Sequence, residues 1–296
     1  MQRNGSPNEH RNVLCSNATR GGEGRAISTD TPARYAFGNT DAEHERLVRQ
    51  SAVLAPLTER FFQDAGIAPG QRVLEFGSGA GDVAMLAARM VGPSGEVVGI
   101  ERDARSIELA KKRATRAGLT NVQFLRADVS DLPRGKPFDA AVGRLILQFV
   151  PDPAAALRPI RTHVRAGGIV AFQEISWSPF FPLIEHLPLL AATMQLSRET
   201  LRRSGANTDM GLDLYHVFRN AGLPTPTMLV EIILDPGAVQ WNFDVFKSLL
   251  PLIERDGLPL HALGDLDTLA ERLHAEAQAS DRPIPFQGLV GAWCHI

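Results

Sequence analysis

The run R-V-L-E-F-G-S-G-A-G-D at residues 72–82 joins a short apolar strand, Arg72–Phe76, to a glycine-rich turn, Gly77–Gly81. A helix is predicted to follow over Asp82–Val91, because Val83, Leu86, Ala87, Met90 and Val91 fall at i, i+3, i+4, i+7 and i+8. Glycines at such a turn let the backbone approach a ligand closely, and the helix N-terminus offers free N–H groups. A second strand, Glu96–Glu101, ends on an acid twenty residues after Gly81. A carboxylate placed there can accept hydrogen bonds from both hydroxyls of a ribose. Strand, turn, helix and distal acid together specify a nucleoside site far better than the glycines alone.

The same alternation continues on the C-terminal side. Asp103 is expected to cap a helix ending at Gly118, with strands at Val122–Ala127 and Phe138–Gly143. A helix follows Pro153, lined by Leu157, Ile160 and Val164, and Gly167-Gly168 turn the chain into a fifth strand at Ile169–Ile175. Strands recurring with helices between them predict a doubly wound, mostly parallel α/β sheet. Beyond Ile175 the pattern loosens. Helices near Leu189–Arg203, Leu212–Ala221, Asn242–Arg255 and Leu266–Ala279 are expected to form an inserted lid. Strands at Thr227–Leu234 and Phe286–His295 complete seven. Upstream, Thr40 and Glu43 have capping-box spacing for a helical cap over residues 35–66, which Pro56 is expected to split in two. Residues 1–34, rich in Asn, Ser, Gly and Arg without periodicity, read as a disordered tail. The expected division is therefore tail 1–34, cap 35–66, cofactor core 67–175, and lid with the last strands 176–296.

Which nucleoside the turn suits is an electrostatic question. A dinucleotide fingerprint needs glycine where Asp82 stands, and a carboxylate there would face pyrophosphate. S-adenosylmethionine carries a sulfonium, an ammonium and a carboxylate but no phosphate, and Glu75 suits a ligand with positive charge.

Here the chain resembles the class I S-adenosylmethionine-dependent methyltransferases, within them the small-molecule branch of ubiquinone/menaquinone biosynthesis methylases. The resemblance rests on V-L-E-F-G-S-G-A-G-D (73–82), V-V-G-I-E-R-D (97–103), F-L-R-A-D-V (124–129), F-D-A-A-V-G-R-L (138–145) and R-A-G-G-I-V (165–170). It covers Tyr35–Ile175, about half of the chain, and is nearly silent about the methyl acceptor. It implies that Glu75, Gly77, Ser78 and Gly79 hold the methionine part and ribose side of the cofactor. Glu101 would bind the ribose diol, Arg102 would lie along the adenine, and Asp128 and Val129 would meet its amino edge. Gly143 and Arg144 would line the methionine moiety and the door to the acceptor, with Tyr35 and Gln50 closing over from the cap. Arg144 could equally be an ion-pair partner of Asp139 or Asp152, and Asp128 a helix cap.

Methyl transfer asks mainly for placement of the nucleophile, and needs a general base only if the acceptor must lose a proton. Arg144, Gln148, Glu174 and Trp177, at the ends of the fourth and fifth strands, are the catalytic candidates. His186 and His216 are weaker ones, and His163 is read as structural. Trp177, Phe180, Phe181, Leu183 and Leu189 offer an apolar wall for a small acceptor, or an ordinary lid core. Two other readings share the scaffold: cyclisation or methylation-triggered rearrangement with the same cofactor, and a partner subunit that binds it without turnover.

Composition excludes other classes. The 296 residues carry 31 basic and 33 acidic side chains, which leaves no excess for a broad nucleic-acid surface. No [DN]-P-P-[YF] segment, Pro-Cys nucleophile, P-loop or Gly-x-Ser-x-Gly elbow is present. Cys15 and Cys294 lack metal-ligand spacing, so no metal is expected. No run reaches a membrane span, and a cytoplasmic protein is expected, with a homodimer through the lid as a further expectation.

Overall fold

A computed structural model describes residues 41–128, 132, 135–235 and 237–296. The expected tail, Thr40, Tyr35 and Val129 lie outside the described residues.

The elements run α1 (Asp41–Ala65), β1 (Arg72–Phe76), α2 (Asp82–Val91), β2 (Glu96–Glu101), α3 (Ala104–Arg116), β3 (Val122–Arg126) and β4 (Phe138–Arg144). They continue with α4 (Pro153–Leu157), α5 (Ile160–His163), β5 (Val164–Ser176), α6 (Pro188–Arg203), α7 (Met210–Asn220), β6 (Thr227–Glu231), α8 (Ala238–Arg255), α9 (Leu269–Ser280) and β7 (Gly288–His295). The strands form one seven-stranded sheet in the order 3-2-1-4-5-7-6. β1 to β5 pair in parallel, while β7 lies antiparallel between β5 and β6. The order reverses between β1 and β4, which opens a crevice at their C-terminal ends.

Alternation along the strands sorts the core into two layers. Leu74 and Phe76 of β1 face a cluster with Leu157, Leu214 and Phe218, on the side of α4, α5 and α7. Val73 faces the other way, with Phe61 and Phe62 of α1, Val83 and Ala84 of α2, and Ile107 and Ala110 of α3. This period of two follows from the pleat. A third cluster, including Phe180, Met194, Phe246, Leu249 and Leu273, holds α6, α8 and α9 together as the helical insertion.

Three local expectations are corrected. Pro56 lies inside a continuous α1. A proline deletes one backbone donor, yet Leu54, Leu57, Phe61 and Phe62 are all buried against the sheet and keep the helix axis in place. Gly167-Gly168 do not precede β5 but sit within it. Val164 already pairs with Phe138, and the register slips before Ile169 meets Ala140. Gly168 is required in that bulge because a Cβ there would lie 2.4 Å from Val164 Cγ1 and 2.8 Å from the Asp139 carbonyl oxygen. The helix after Pro153 is two short ones, α4 and α5.

Candidate functional site

The glycine turn is built by long-range fit as well as by backbone freedom. Gly77 has φ +71, and a Cβ there would fall 2.5 Å from Ile146 Cγ1. Ile146 thus wedges the turn against the end of β4. The ring of Phe172 uses the matching gap at Gly143, where a Cβ would lie 2.5 Å from its Cε1. A Cβ at Gly79, where φ is +48, would meet no atom within 4 Å, and this residue borders the cavity. Gly81, at φ +84, caps α2.

The segment that supplies Ile146 is held from below by Glu174. Leu145 takes φ +55, a strained value for a bulky side chain. Beyond it, Glu174 Oε1 accepts the backbone N–H groups of Ile146 at 2.9 Å and Leu147 at 2.7 Å. Glu174 is fully buried, and burial pushes its carboxyl up to about 8 against those backbone donors. It lies outside the cavity wall, so its observed contacts are those of a positioning group for the Leu145–Gln148 turn.

At the end of β2 the Glu101 carboxylate is fixed by three backbone donors. Oε2 accepts from Gly79 at 2.9 Å, and Oε1 from Arg102 at 2.7 Å and Asp103 at 2.9 Å. Asp103 also caps α3 through the Ser106 N–H at 2.8 Å. Arg102 pairs with Asp128 across the ends of β2 and β3. Asp82 pairs with Arg113 at 2.5 Å rather than facing the turn alone.

These groups border one cavity of about 400 Å³ in the crevice beside β1 and β4. The cavity brings together Gln50, Glu75, Gly77, Ser78, Gly79, Glu101, Arg102, Asp128, Arg144, Gln148 and Trp177 from the sequence reading. Glu174 and Gly143 are not on its wall, and neither are His163, His186 or His216. Of the five residues read as an apolar wall or a lid core, Trp177 is on the cavity wall, Phe180, Phe181 and Leu189 are lid core, and Leu183 is exposed. Besides Trp177, the apolar wall includes Leu145, Phe149, Ile175, Leu201, Trp241 and Val245. Arg46, Ser106 and Gln287 were not anticipated either. Arg46 donates to Gln50 Oε1 at 2.8 Å and Gln287 accepts from Trp241 Nε1 at 2.9 Å. Arg144 bonds Thr58 Oγ1 at 2.9 Å and Ser51 Oγ at 3.5 Å on α1, while Asp139 is taken by Arg165.

Glu75 carries the clearest sign of a ligand. It is 2% exposed, lines the cavity, and its Oε2 has no hydrogen-bond partner. Burial raises its carboxyl to about 8, opposed by Arg144 and reinforced by Asp82 and Glu101. A polar atom left unpaired in the interior is costly unless a ligand completes it.

The chain matches the family described as "Methyltransferase domain" over residues 67–222. It belongs to that family. A demethylmenaquinone methyltransferase of Staphylococcus aureus (strain JH9) is 28% identical over 177 residues, 55% of this chain and 72% of that protein. Among solved structures, a Bacillus halodurans C-125 protein assigned as a methyltransferase superposes with TM-score 0.50 and 16% identity, covering 79% of this chain and 95% of that one. An Aquifex aeolicus SAM-dependent methyltransferase gives TM-score 0.41 and 21% identity over 47% of this chain and 74% of that one. By the family match and the order of its sheet, the protein is a class I methyltransferase that resembles the quinone-biosynthesis methylases, and its cofactor is S-adenosylmethionine. Among the described residues of this methyltransferase, no helix is long and apolar enough to cross a membrane.

The two raised carboxyls predict a pH dependence for the methyltransferase. Glu75 and Glu174 are protonated in the fold up to about pH 8, but ionise near 4.5 once unfolded. Between those values the folded state binds more protons, so stability falls as pH rises, on the order of 1 kcal/mol per unit for each group. Urea melts at pH 5.5 and pH 8.5 should show the lower midpoint at pH 8.5, and Glu174→Gln should flatten the slope. A midpoint that rises with pH would contradict the assignment.

Proposed function

We propose that this methyltransferase moves the methyl group of S-adenosylmethionine to a small, largely apolar acceptor by in-line displacement. One observation carries the proposal: a single cavity joins a turn-side half rich in carboxylates to an apolar half walled by Trp177, Trp241, Leu145 and Ile175. The unpartnered Glu75 Oε2, on a carboxyl that a bound cation would favour in its ionised form, the open space at Gly79 and the fixed Glu101 carboxylate fit a cationic nucleoside. Glu75, Gly77, Ser78, Gly79, Glu101, Arg102 and Asp128 would hold the cofactor, with Gln50 closing from α1. When bound, S-adenosylmethionine supplies a carbon already activated by its sulfonium. The chain's own task is then placement. The tryptophans and leucines exclude water and orient the acceptor body. Arg144 and Gln148, also on the cavity wall, would orient the acceptor's polar end. The likeness to a demethylmenaquinone methyltransferase supports a small apolar acceptor.

Calorimetric titration with S-adenosylmethionine, S-adenosylhomocysteine and NADH in parallel tests the cofactor half. Micromolar binding of the first two and none of NADH is expected, whereas NADH alone would overturn the proposal. An acceptor screen should then release S-adenosylhomocysteine. Methylthioadenosine as the sole nucleoside product would replace methyl transfer by cyclisation of the aminobutyryl chain.

A further inference from the structure

Arg144 is a cation that the fold leaves incompletely matched. A guanidinium presents five N–H donors in a planar fork. Here two hydrogen bonds are made, both to neutral hydroxyls of α1, those of Thr58 and Ser51. Among the described residues no carboxylate forms a direct ion pair with it, although Asp82 and Glu75 are near enough to favour its charge. Asp82 is engaged by Arg113 at 2.5 Å. Burial keeps the carboxyl of Glu75 largely neutral near pH 7. A partly buried guanidinium without a close anion loses hydration and gains little in exchange. The other cations on the cavity wall are already matched: Arg46 bonds Glu43 at 2.6 Å and Arg102 pairs with Asp128.

Its position is informative as well. Ser51 and Thr58 bracket Leu54 and Leu57 on α1, and those leucines pack with Leu145, Ile175 and Trp241. Leu145, Ile175 and Trp241 belong to the apolar half of the cavity. The guanidinium therefore stands at the rim of the apolar half, with donors to spare.

We propose that Arg144 anchors a carboxylate on the methyl acceptor, which makes the acceptor an apolar carboxylic acid rather than a neutral molecule. This rests on the methyl-transfer reading above and narrows its substrate class. The planar fork matches a carboxylate through two parallel bonds, which an ammonium at the same place could not reproduce. The apolar wall would take the rest of the molecule.

The test uses two probes of one shape, 1-naphthoate and 1-naphthamide, titrated calorimetrically into the full-length protein saturated with S-adenosylhomocysteine. Wild type should bind naphthoate about 10- to 100-fold more tightly than the amide. Arg144→Met should abolish that preference by weakening naphthoate far more than the amide, and Arg144→Lys should restore part of it. S-adenosylhomocysteine affinity, measured first on each variant, shows that the site is still folded. Three results would overturn the proposal with the methyl-transfer reading intact: equal affinities in wild type, a preference that survives Arg144→Met, or binding of neither probe. An Arg144→Met protein that instead loses S-adenosylhomocysteine affinity, with no naphthoate preference in wild type, would give this guanidinium to the cofactor. Failure of wild type to bind S-adenosylhomocysteine at all would remove both readings.

Discussion

Glu101→Ala is expected to weaken S-adenosylmethionine binding by about 1–3 kcal/mol, roughly 5- to 150-fold. The size follows from how the carboxylate is held. Three backbone N–H groups, those of Gly79, Arg102 and Asp103, fix both of its oxygens before any ligand arrives. A group set in place this way loses little freedom on binding, so its bonds to a ribose count nearly in full. Alanine removes the acceptor and also releases the N–H of Gly79, which loosens the turn. Glu101→Gln keeps one carbonyl oxygen in place and should lose less. Calorimetry with S-adenosylhomocysteine on both variants checks the order, and an unchanged dissociation constant for the alanine variant would remove Glu101 from the site.

A second large effect should separate two glycines that sit two residues apart. Gly77→Ala must accept a positive φ and place its Cβ 2.5 Å from Ile146 Cγ1. Backbone strain of about 1–2 kcal/mol and overpacking of about 1–3 kcal/mol then add to a cost of roughly 2–5 kcal/mol. At about 2–4 °C per kcal/mol for a domain of this size, the melting temperature should drop by roughly 4–20 °C. Gly79→Ala meets no atom within 4 Å. It carries the same backbone strain at φ +48 but no overpacking, so its melting temperature should fall by only roughly 2–8 °C, yet it should lose cofactor affinity, because its methyl group would enter the space at the cavity wall. Equal melting temperatures for the two variants would mean that Ile146 yields easily. Intact cofactor binding by Gly79→Ala would mean that the ligand keeps away from this turn.

The contrast between these glycines also marks what the sequence could reveal. β1, α2 and β2 were legible to the residue, and β3 and β4 to within one, because local rules define them: apolar runs, a 3.6-residue period and glycine punctuation. The cap at Asp103 was legible for the same reason. That Gly77 serves Ile146, and Gly143 the ring of Phe172, was not legible, since nothing local ties residue 77 to residue 146. Glu174 looked like a strand-end acid facing a ligand. It turned out to face inward beneath the Leu145–Gln148 turn, because the pleat sends it to the face of Phe172. The far wall was hidden for a related reason. Trp241 and Gln287 lie in the helical insertion and just ahead of β7, where apolar patterning cannot say which side chains meet the crevice. The aromatic run at Phe180 and Phe181 was the more conspicuous signal, and it packs the lid instead.

The place of β7 between β5 and β6 has a consequence for how the enzyme is made. β6 leaves the ribosome some sixty residues before β7, yet among the described residues it pairs only with β7. Until Gly288–His295 are synthesised and inserted, β6 has no partner and β5 keeps an open edge. Gln287, on the cavity wall, arrives with that same late insertion. A nascent chain stopped short of it would present the glycine turn and the parallel strands without a closed pocket, along with a bare sheet edge of the kind that recruits other strands. Binding competence should therefore arise in one late step, and the interval before that step is when the chain most needs a chaperone.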